Sequence, residues 1–292
     1  MSEDRATEVL KKLWPEWSGR MEILRDGPDT WVYRPSRGRV PAVVKLWPRK
    51  SEAKASRQAL RQAELAAVLS HGPYRVPRVL WFGKGALVMQ DAGGPDFRDR
   101  LEREAAGPLL RSAGEWLAAY HGLSLRERKF LPKGQVNWLT RLIEAVEDGE
   151  RKPIDAKGLV SAARALRETR GTVRGLPATR AITHRDLTLS NLVSGPDDTV
   201  WGIDFENAKE DEPLRDVFSL ALDVLCLTGD EAALASLREG YGDDVTAPEV
   251  RLFLQRCFAI SVWANTPLSP SKRQRQRWEI ARDLLERDSA VI

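Results

Sequence analysis

The feature that most constrains this chain is a change of texture at Gly93-Gly94-Pro95. Before it, short runs of strand character follow one another: Met21–Asp26, Thr30–Arg34 and Ala42–Trp47, a helix-forming stretch over 51–70, then Arg78–Phe82 and Ala86–Met89. Turn-forming clusters separate them, at Gly27-Pro28-Asp29, Pro35–Arg39 and Gly83-Lys84-Gly85. Ser51 stands at the N-cap of the 51–70 stretch and His71-Gly72-Pro73 stops it. A short amphipathic helix precedes the strands at 7–14. After Pro95 the pattern is helical, over 96–105, 107–122, 137–147, 156–169, 213–228, 230–240, 248–264 and 270–287, with one β-rich island at 181–204. Strands first and helices afterwards predict an α+β plan. The expected division is a strand-rich lobe over 1–91, an antiparallel sheet with one helix, and a larger helical lobe over 92–292.

Length and composition narrow the class. A chain of 292 residues, 42% of them hydrophobic, buries a sizeable core without disulfides or metals. The two cysteines, Cys226 and Cys257, each lie in an apolar stretch and read as reduced, buried thiols. The opening MSEDRATEVLKK has no basic segment followed by an apolar run, so no secretory leader is expected. No stretch approaches the roughly 18 uncharged apolar residues that span a bilayer; Val217–Leu227 is interrupted by Asp223. These features predict a cytoplasmic protein with no transmembrane segment. The net charge of +4 is mild and does not point to a nucleic-acid partner. Absence of H-E-x-x-H, clustered Cys/His and G-x-x-x-x-G-K-[ST] excludes zinc-site and Walker-type readings.

The chemistry concentrates in 182–206, ITHRDLTLSNLVSGPDDTVWGIDFE. His184-Arg185-Asp186 is followed five residues later by Asn191, and Asp204 ends the apolar run Val200–Ile203. This is the H-R-D-x-x-x-x-N and D-F-[G/E] pattern of a kinase catalytic loop and metal-binding strand. Asp186 and Asn191 share one tight loop, so Asp186 can face an acceptor hydroxyl while Asn191 faces a metal ion. Asp204 supplies a second hard oxygen ligand, and Mg²⁺ needs few protein ligands beside phosphates. A carboxylate at Asp186 orients the attacking hydroxyl and accepts its proton.

Four further pieces occur in order. Lys45, on the strand Ala42-Val43-Val44-Lys45-Leu46, matches the strand lysine of kinases. Glu64, nineteen positions later on the following helix, is its expected ion-pair partner, holding the lysine against the α- and β-phosphates; the alternative is a solvent-facing Glu64 paired with Arg61. The stretch Leu87–Gly94 is a strand ending in a small-residue linker, where the Gln90 carbonyl and the Ala92 N–H would meet an adenine ring, with Met89 at the back of the pocket. Asp216 opens a helix, and would brace the catalytic loop through backbone hydrogen bonds or simply favour the helix N-terminus.

Taken together, VVKL around Lys45, LVMQDAGG at 87–94, LAAYHGL at 117–123, HRDLTLSN at 184–191, GIDFENA at 202–208 and EPLRDV at 212–217 resemble the aminoglycoside phosphotransferase and choline kinase family. The resemblance implies a bilobal protein-kinase-like fold, an ATP site between lobes, Mg²⁺, and transfer of the γ-phosphate to a small-molecule hydroxyl. Only eleven residues separate Asp204 from Asp216, too few for the activation segment of a protein kinase. His184 and Arg185 are assigned to structural support of the loop, and His71 and His121 to structure as well. Two departures stand out. The phosphate-covering loop at Arg25–Thr30 reads RDGPDT, with one glycine, and Thr188 stands where many protein kinases carry a lysine. In the acceptor region, Glu206, Glu210, Asp211 and Glu212 would suit a cationic acceptor, and Lys272, Arg273, Arg275 and Arg277 an anionic one. Trp138, Trp263 and Trp278 either stack on a sugar or fill the core. A kinase acting on a protein or lipopolysaccharide-type acceptor and a non-enzymatic nucleotide-binding scaffold are the alternative readings.

Overall fold

The computed structural model describes residues 2–36 and 41–292. In chain order the elements are α1 (Ser2–Leu13), β1 (Met21–Asp26), β2 (Trp31–Pro35), β3 (Ala42–Leu46), α2 (Glu52–Val68), β4 (Tyr74–Arg75), β5 (Val79–Gly83), β6 (Ala86–Gln90), α3 (Phe97–Leu101), α4 (Ala106–Gly122) and β7 (Arg126–Lys129). There follow α5 (Lys133–Glu147), α6 (Ala156–Glu168), α7 (Arg170–Val173), β8 (Pro177–Ile182), β9 (Leu192–Ser194), β10 (Val200–Gly202), β11 (Glu210–Asp211), α8 (Leu214–Thr228), α9 (Leu234–Tyr241), α10 (Pro248–Ala264) and α11 (Lys272–Glu286). The chain forms two compact units, Met1–Arg100 with Ser190–Ala208, and Leu101–Leu189 with Lys209–Ile292.

The first unit is built on an antiparallel sheet in the order β1-β2-β3-β6-β5. Period-two alternation on β3 sends Ala42, Val44 and Leu46 to one face and Val43 and Lys45 to the other. On the first face α1 packs Ala6, Val9 and Leu10 against Tyr33, Val44 and Val88. On the second, Ala55 and Ala59 of α2 pack against Val43, Trp47, Leu87 and Met89. Every residue of β3 is buried, which is why Lys45 is lodged in the interior. A three-stranded sheet, β4-β10-β9, adds residues 190–208 to this unit. Val200 registers with Tyr74, the Gly94 N–H donates to the Ser194 carbonyl at 3.1 Å, and the Ser194 N–H to the Pro95 carbonyl at 3.0 Å. A Cβ on Gly94 would lie 2.3 Å from the Ser194 oxygen, so this approach requires glycine.

The second unit packs helices around the small sheet β11-β8-β7. Helices α4 and α9 meet backbone to backbone: a Cβ on Gly240 would lie 2.0 Å from the Arg111 oxygen, and one on Gly114 2.3 Å from the Leu237 oxygen. Trp263 and Trp278 belong to the core, edge to face at 6.2 Å, with the Arg282 guanidinium over both rings.

Several expectations are corrected. The boundary at 91/92 gives way to a discontinuous first unit, because the β9–β10 hairpin pairs with β4 and with Gly94-Pro95. Helix α1 begins at Ser2 rather than residue 7; Glu3 and Asp4 in its first turn and Lys11 and Lys12 in its last favour the helix dipole. The 96–105 helix shortens to α3, and the strands β4 and β7 carry no sequence signal strong enough to read. Ser51 is the N-cap residue of α2, but its side chain makes no capping bond. The Pro35–Arg39 turn falls partly on residues 37–40, outside the described residues. Cys226 is half-buried rather than buried, whereas Cys257 is buried; neither forms a disulfide, and burial pushes the Cys257 thiol up from its ordinary range. Among the described residues no helix is long and apolar enough to cross a membrane.

Candidate active site

The first unit contains a cavity of about 530 Å³ whose walls include Lys45, Gln58, Met89, Gln90, Asp91, Ala92, Asn191 and Asp204. The Lys45 ammonium contacts an Asp204 carboxylate oxygen, donates to Gln58 Oε1 at 3.0 Å, lies 3.9 Å from Glu206 and sits 4.8 Å from the centre of the Trp47 ring. The Ile203 N–H donates to the Asn191 carbonyl at 3.0 Å, which ties the strand carrying Asp204 to the loop carrying Asn191. Asp204 is held at φ 71°, in the left-handed region that costs a non-glycine residue free energy and is found at functional positions.

The linker wall is equally organised. The Met89 sulfur accepts from Gln62 Nε2 at 3.2 Å. The Asp91 carboxylate accepts from Arg34 Nε at 2.6 Å and from the Gly93 N–H at 3.0 Å, which fixes the turn out of β6. In place of a glycine-rich loop, β1 and β2 are joined by a tight turn with the Gly27 N–H on the Thr30 carbonyl at 3.2 Å. The register shifts between Ile23 and Arg25, and Leu24 and Arg25 both reach the cavity wall.

In the second unit the segment 184–189 lies along one face of α8. The Asp216 carboxylate accepts from the His184 N–H at 2.6 Å, the Arg185 N–H at 2.8 Å and His121 Nε2 at 3.1 Å. One turn on, Ser219 Oγ donates to the Leu187 carbonyl at 2.6 Å, and one turn further Asp223 accepts from the Leu189 N–H at 3.2 Å. The spacing 216, 219, 223 is a single helical face. Burial alone would push the Asp216 carboxyl up; the hydrogen bond and charge of His121, and then His184, outweigh it and hold the group below its ordinary value. Arg185 takes φ 68°, so Asp186 is presented, exposed, from a constrained backbone.

The same unit contains a second cavity, of about 360 Å³, lined by Trp138, Leu254 and Phe258 and by β11 with its neighbours. Glu212 accepts from Gln135 Nε2 at 2.9 Å and from Arg180 at 3.4 Å. Asp211 lies 3.0 Å from Arg185 and 3.9 Å from Arg215, and Glu210 pairs with Arg126. Burial, then the hydrogen bond and charge of Asp211, raise the Glu212 carboxyl to about 7.

The structure thus brings Lys45, Met89, Gln90, Ala92, Asn191 and Asp204 to one cavity wall, and places His184, Arg185 and Asp216 in one hydrogen-bonded group. Glu64 is the correction: it points to solvent and pairs with Arg61 at 3.3 Å, while the α2 side chain on Lys45 is Gln58. Six residues on a helix turn the side chain by roughly 240°, so Glu64 cannot share a face with Gln58. The helical period through Ala55, Ala59, Gln62 and Ala66 was the available signal, since it puts Gln58 on the buried face. Arg185 does more than support the loop, because its guanidinium reaches the second cavity. Ser219 and Asp223 went unread.

A model of a family described as phosphotransferase enzymes matches residues 24–253. No curated protein sequence matches the chain. Among solved structures, the chain is similar to a choline kinase, LicA, from Streptococcus pneumoniae (16% identity, 97% of this chain and 98% of that one, TM-score 0.61). It is similar also to a macrolide 2'-phosphotransferase, MphH, from Brachybacterium faecium (15% identity, 97% and 98%, TM-score 0.58). A third is the streptomycin–ATP–APH(2")-IIa ternary complex (13% identity, 96% and 97%, TM-score 0.57). At these identities the likeness establishes the fold.

Proposed function

This chain belongs to the phosphotransferase enzyme family, and from that premise we propose that it transfers the γ-phosphate of MgATP to a hydroxyl group of a small molecule. The observation that carries the reading is the convergence of Lys45, Asn191, Asp204 and the linker residues 89–92 on one cavity of the first unit. The donor set fits magnesium: Asp204 and Asn191 offer hard oxygens, and the Asp204 carboxylate already holds a cation, the Lys45 ammonium. Asn191 and Asp204 are the residues that would hold the ion, which when bound neutralises charge on the terminal phosphates. Met89, Gln90 and Ala92 take the base, and Lys45, positioned by Gln58, takes the phosphates. Arg25 supplies the positive charge that the single-glycine turn lacks.

Asp186 is the catalytic base. As the acceptor oxygen bonds to the γ-phosphorus, the bond to the β-phosphate bridging oxygen breaks, ADP leaves, and the hydroxyl proton passes to the Asp186 carboxylate. The bonds of Asp216 and Ser219 to the Arg185 N–H and the Leu187 carbonyl hold the backbone on either side of that residue. Release of ADP over a panel of hydroxyl acceptors tests the reading. Asp186→Asn should retain the MgATP-induced thermal shift while losing turnover, and Asp204→Ala should lose the magnesium-dependent part of the shift. An Asp204→Ala shift equal to wild type would overturn the assignment.

A further inference from the structure

We propose that the acceptor is an anionic hydroxy compound, one carrying a carboxylate or phosphate beside its reactive hydroxyl, and that Arg185 and Arg215 bind that anionic group in the cavity of the second unit. The inference rests on the phosphotransferase reading and deepens it.

The first argument is occupancy. Three carboxylates of β11 and its neighbour could attract a cation, yet each already holds a guanidinium: Glu210 with Arg126, Asp211 with Arg185 and Arg215, Glu212 with Arg180. Glu212 is only 4% exposed. At Glu212 an incoming ammonium would have to displace a guanidinium from a buried oxygen, which is costly; at the more exposed Glu210 and Asp211 it would compete with guanidiniums already in place.

The second is accessible charge. The Arg185 and Arg215 side chains are 40% and 46% exposed, against 20% for the Asp211 carboxylate they share. One carboxylate between two guanidiniums leaves a unit of positive charge and several N–H donors facing the cavity. That is the geometry that takes a planar oxyanion in a forked, charge-assisted pair. The wider field has the same sign. Arg126, Arg128, Arg180, Arg185 and Arg215 outnumber the three carboxylates five to three. Burial, more than charge, lowers the proton affinity of Arg128; Arg180 and Arg126 add to the effect while Glu212 and Glu210 oppose it.

The third is shape. Trp138, Leu254 and Phe258 line the same cavity as the guanidiniums, and the volume of about 360 Å³ suits a compact molecule of sugar size with an apolar part. Arg185 immediately precedes Asp186, so an anion on Arg185 ties the acceptor to the residue next to the base.

The test compares D-gluconate and glucose 6-phosphate with neutral glucose and with the cations choline and streptomycin. Each is assayed for ADP release at saturating MgATP and, with saturating MgADP, for a shift of the thermal midpoint. The expected result is turnover or a midpoint shift with the carboxylate or the phosphate and not with glucose, the two arms separating the two kinds of anion. The concentration needed should rise about tenfold or more in Arg215→Gln, with partial recovery in Arg215→Lys and kcat changing less than KM. Shifts or turnover confined to choline, streptomycin or glucose would overturn the inference and leave the phosphotransferase reading standing. No effect of either anion on the wild type would overturn it as well. Loss of the MgATP shift itself would instead sink the reading beneath it.

Discussion

Lys45 Nζ donates to Gln58 Oε1 at 3.0 Å, so the helix partner of the buried strand lysine is a neutral amide and not a carboxylate. The lysine's charge is balanced from the other side, by Asp204 and more distantly by Glu206. Gln58 is completely buried and acts as a positional stop. Gln58→Leu should therefore raise KM for ATP about tenfold and lower stability by about 1–2 kcal/mol, since a buried donor loses an acceptor. Gln58→Glu should stay within a few-fold of wild type. Initial rates against ATP and urea unfolding of both variants check this.

Asp216 contributes stability with a definite sign in pH. Its carboxyl is held below the ordinary value of 3.8, so its contribution is present above that value and is lost as pH falls through the folded-state value. Wild-type unfolding free energy should fall below about pH 4 more steeply than that of Asp216→Asn. At pH 7 Asp216→Ala should cost about 3 kcal/mol, because the His184 and Arg185 N–H groups lose their acceptor. Urea midpoints from pH 3 to 7 provide the measurement.

Glu212 has the opposite sign. Burial and Asp211 raise it from 4.5 to about 7, so the folded state favours its neutral form. Stability from this group is full below pH 4.5 and is lost as pH rises to about 7. Asp211, held low by the Glu212 hydrogen bond and Arg185 against its own burial, has its contribution in full above about pH 4 and does not change across this window. Glu212→Gln should be more stable than wild type at pH 8 by roughly 1–3 kcal/mol and equal to it at pH 4. A constant difference across that range would refute the assignment.

The α4–α9 crossing predicts a contrast between two glycines. Gly240→Ala puts a methyl 2.0 Å from the Arg111 oxygen and should cost about 3 kcal/mol or more. At Gly122, in the last turn of α4, a Cβ meets nothing within 4 Å, and Gly122→Ala should be neutral or gain up to about 1 kcal/mol. Thermal unfolding of the pair separates crowding from helix propensity.

Much of this is legible in the amino-acid sequence. The alternation on β3 and the 184–204 spacing identified Lys45, Asn191 and Asp204 as residues of one site, and all three line one cavity. Asp216 was readable because an acid opens the next helix; Ser219 and Asp223 were not, since their role depends on which face of α8 the loop crosses. Distance along the chain points to Glu64 as the lysine's partner, but rotation around the helix decides, and it turns Glu64 to Arg61. The pairing of Glu210, Asp211 and Glu212 was hidden because their arginines lie elsewhere: Arg126 on the unread strand β7, Arg180 just before the 181–204 island, and Arg185 on the loop.

The Lys45–Asp204 contact described above has a consequence for the order of events. These two charges satisfy one another. On the proposed function, magnesium arriving alone would take Asp204 from its lysine and leave the buried ammonium with Gln58 and the more distant Glu206, and free nucleotide would take the lysine from a partly exposed Asp204. A metal–nucleotide complex bound as proposed would give both ends a new partner at once, so the pair favours arrival of the two together over either by itself.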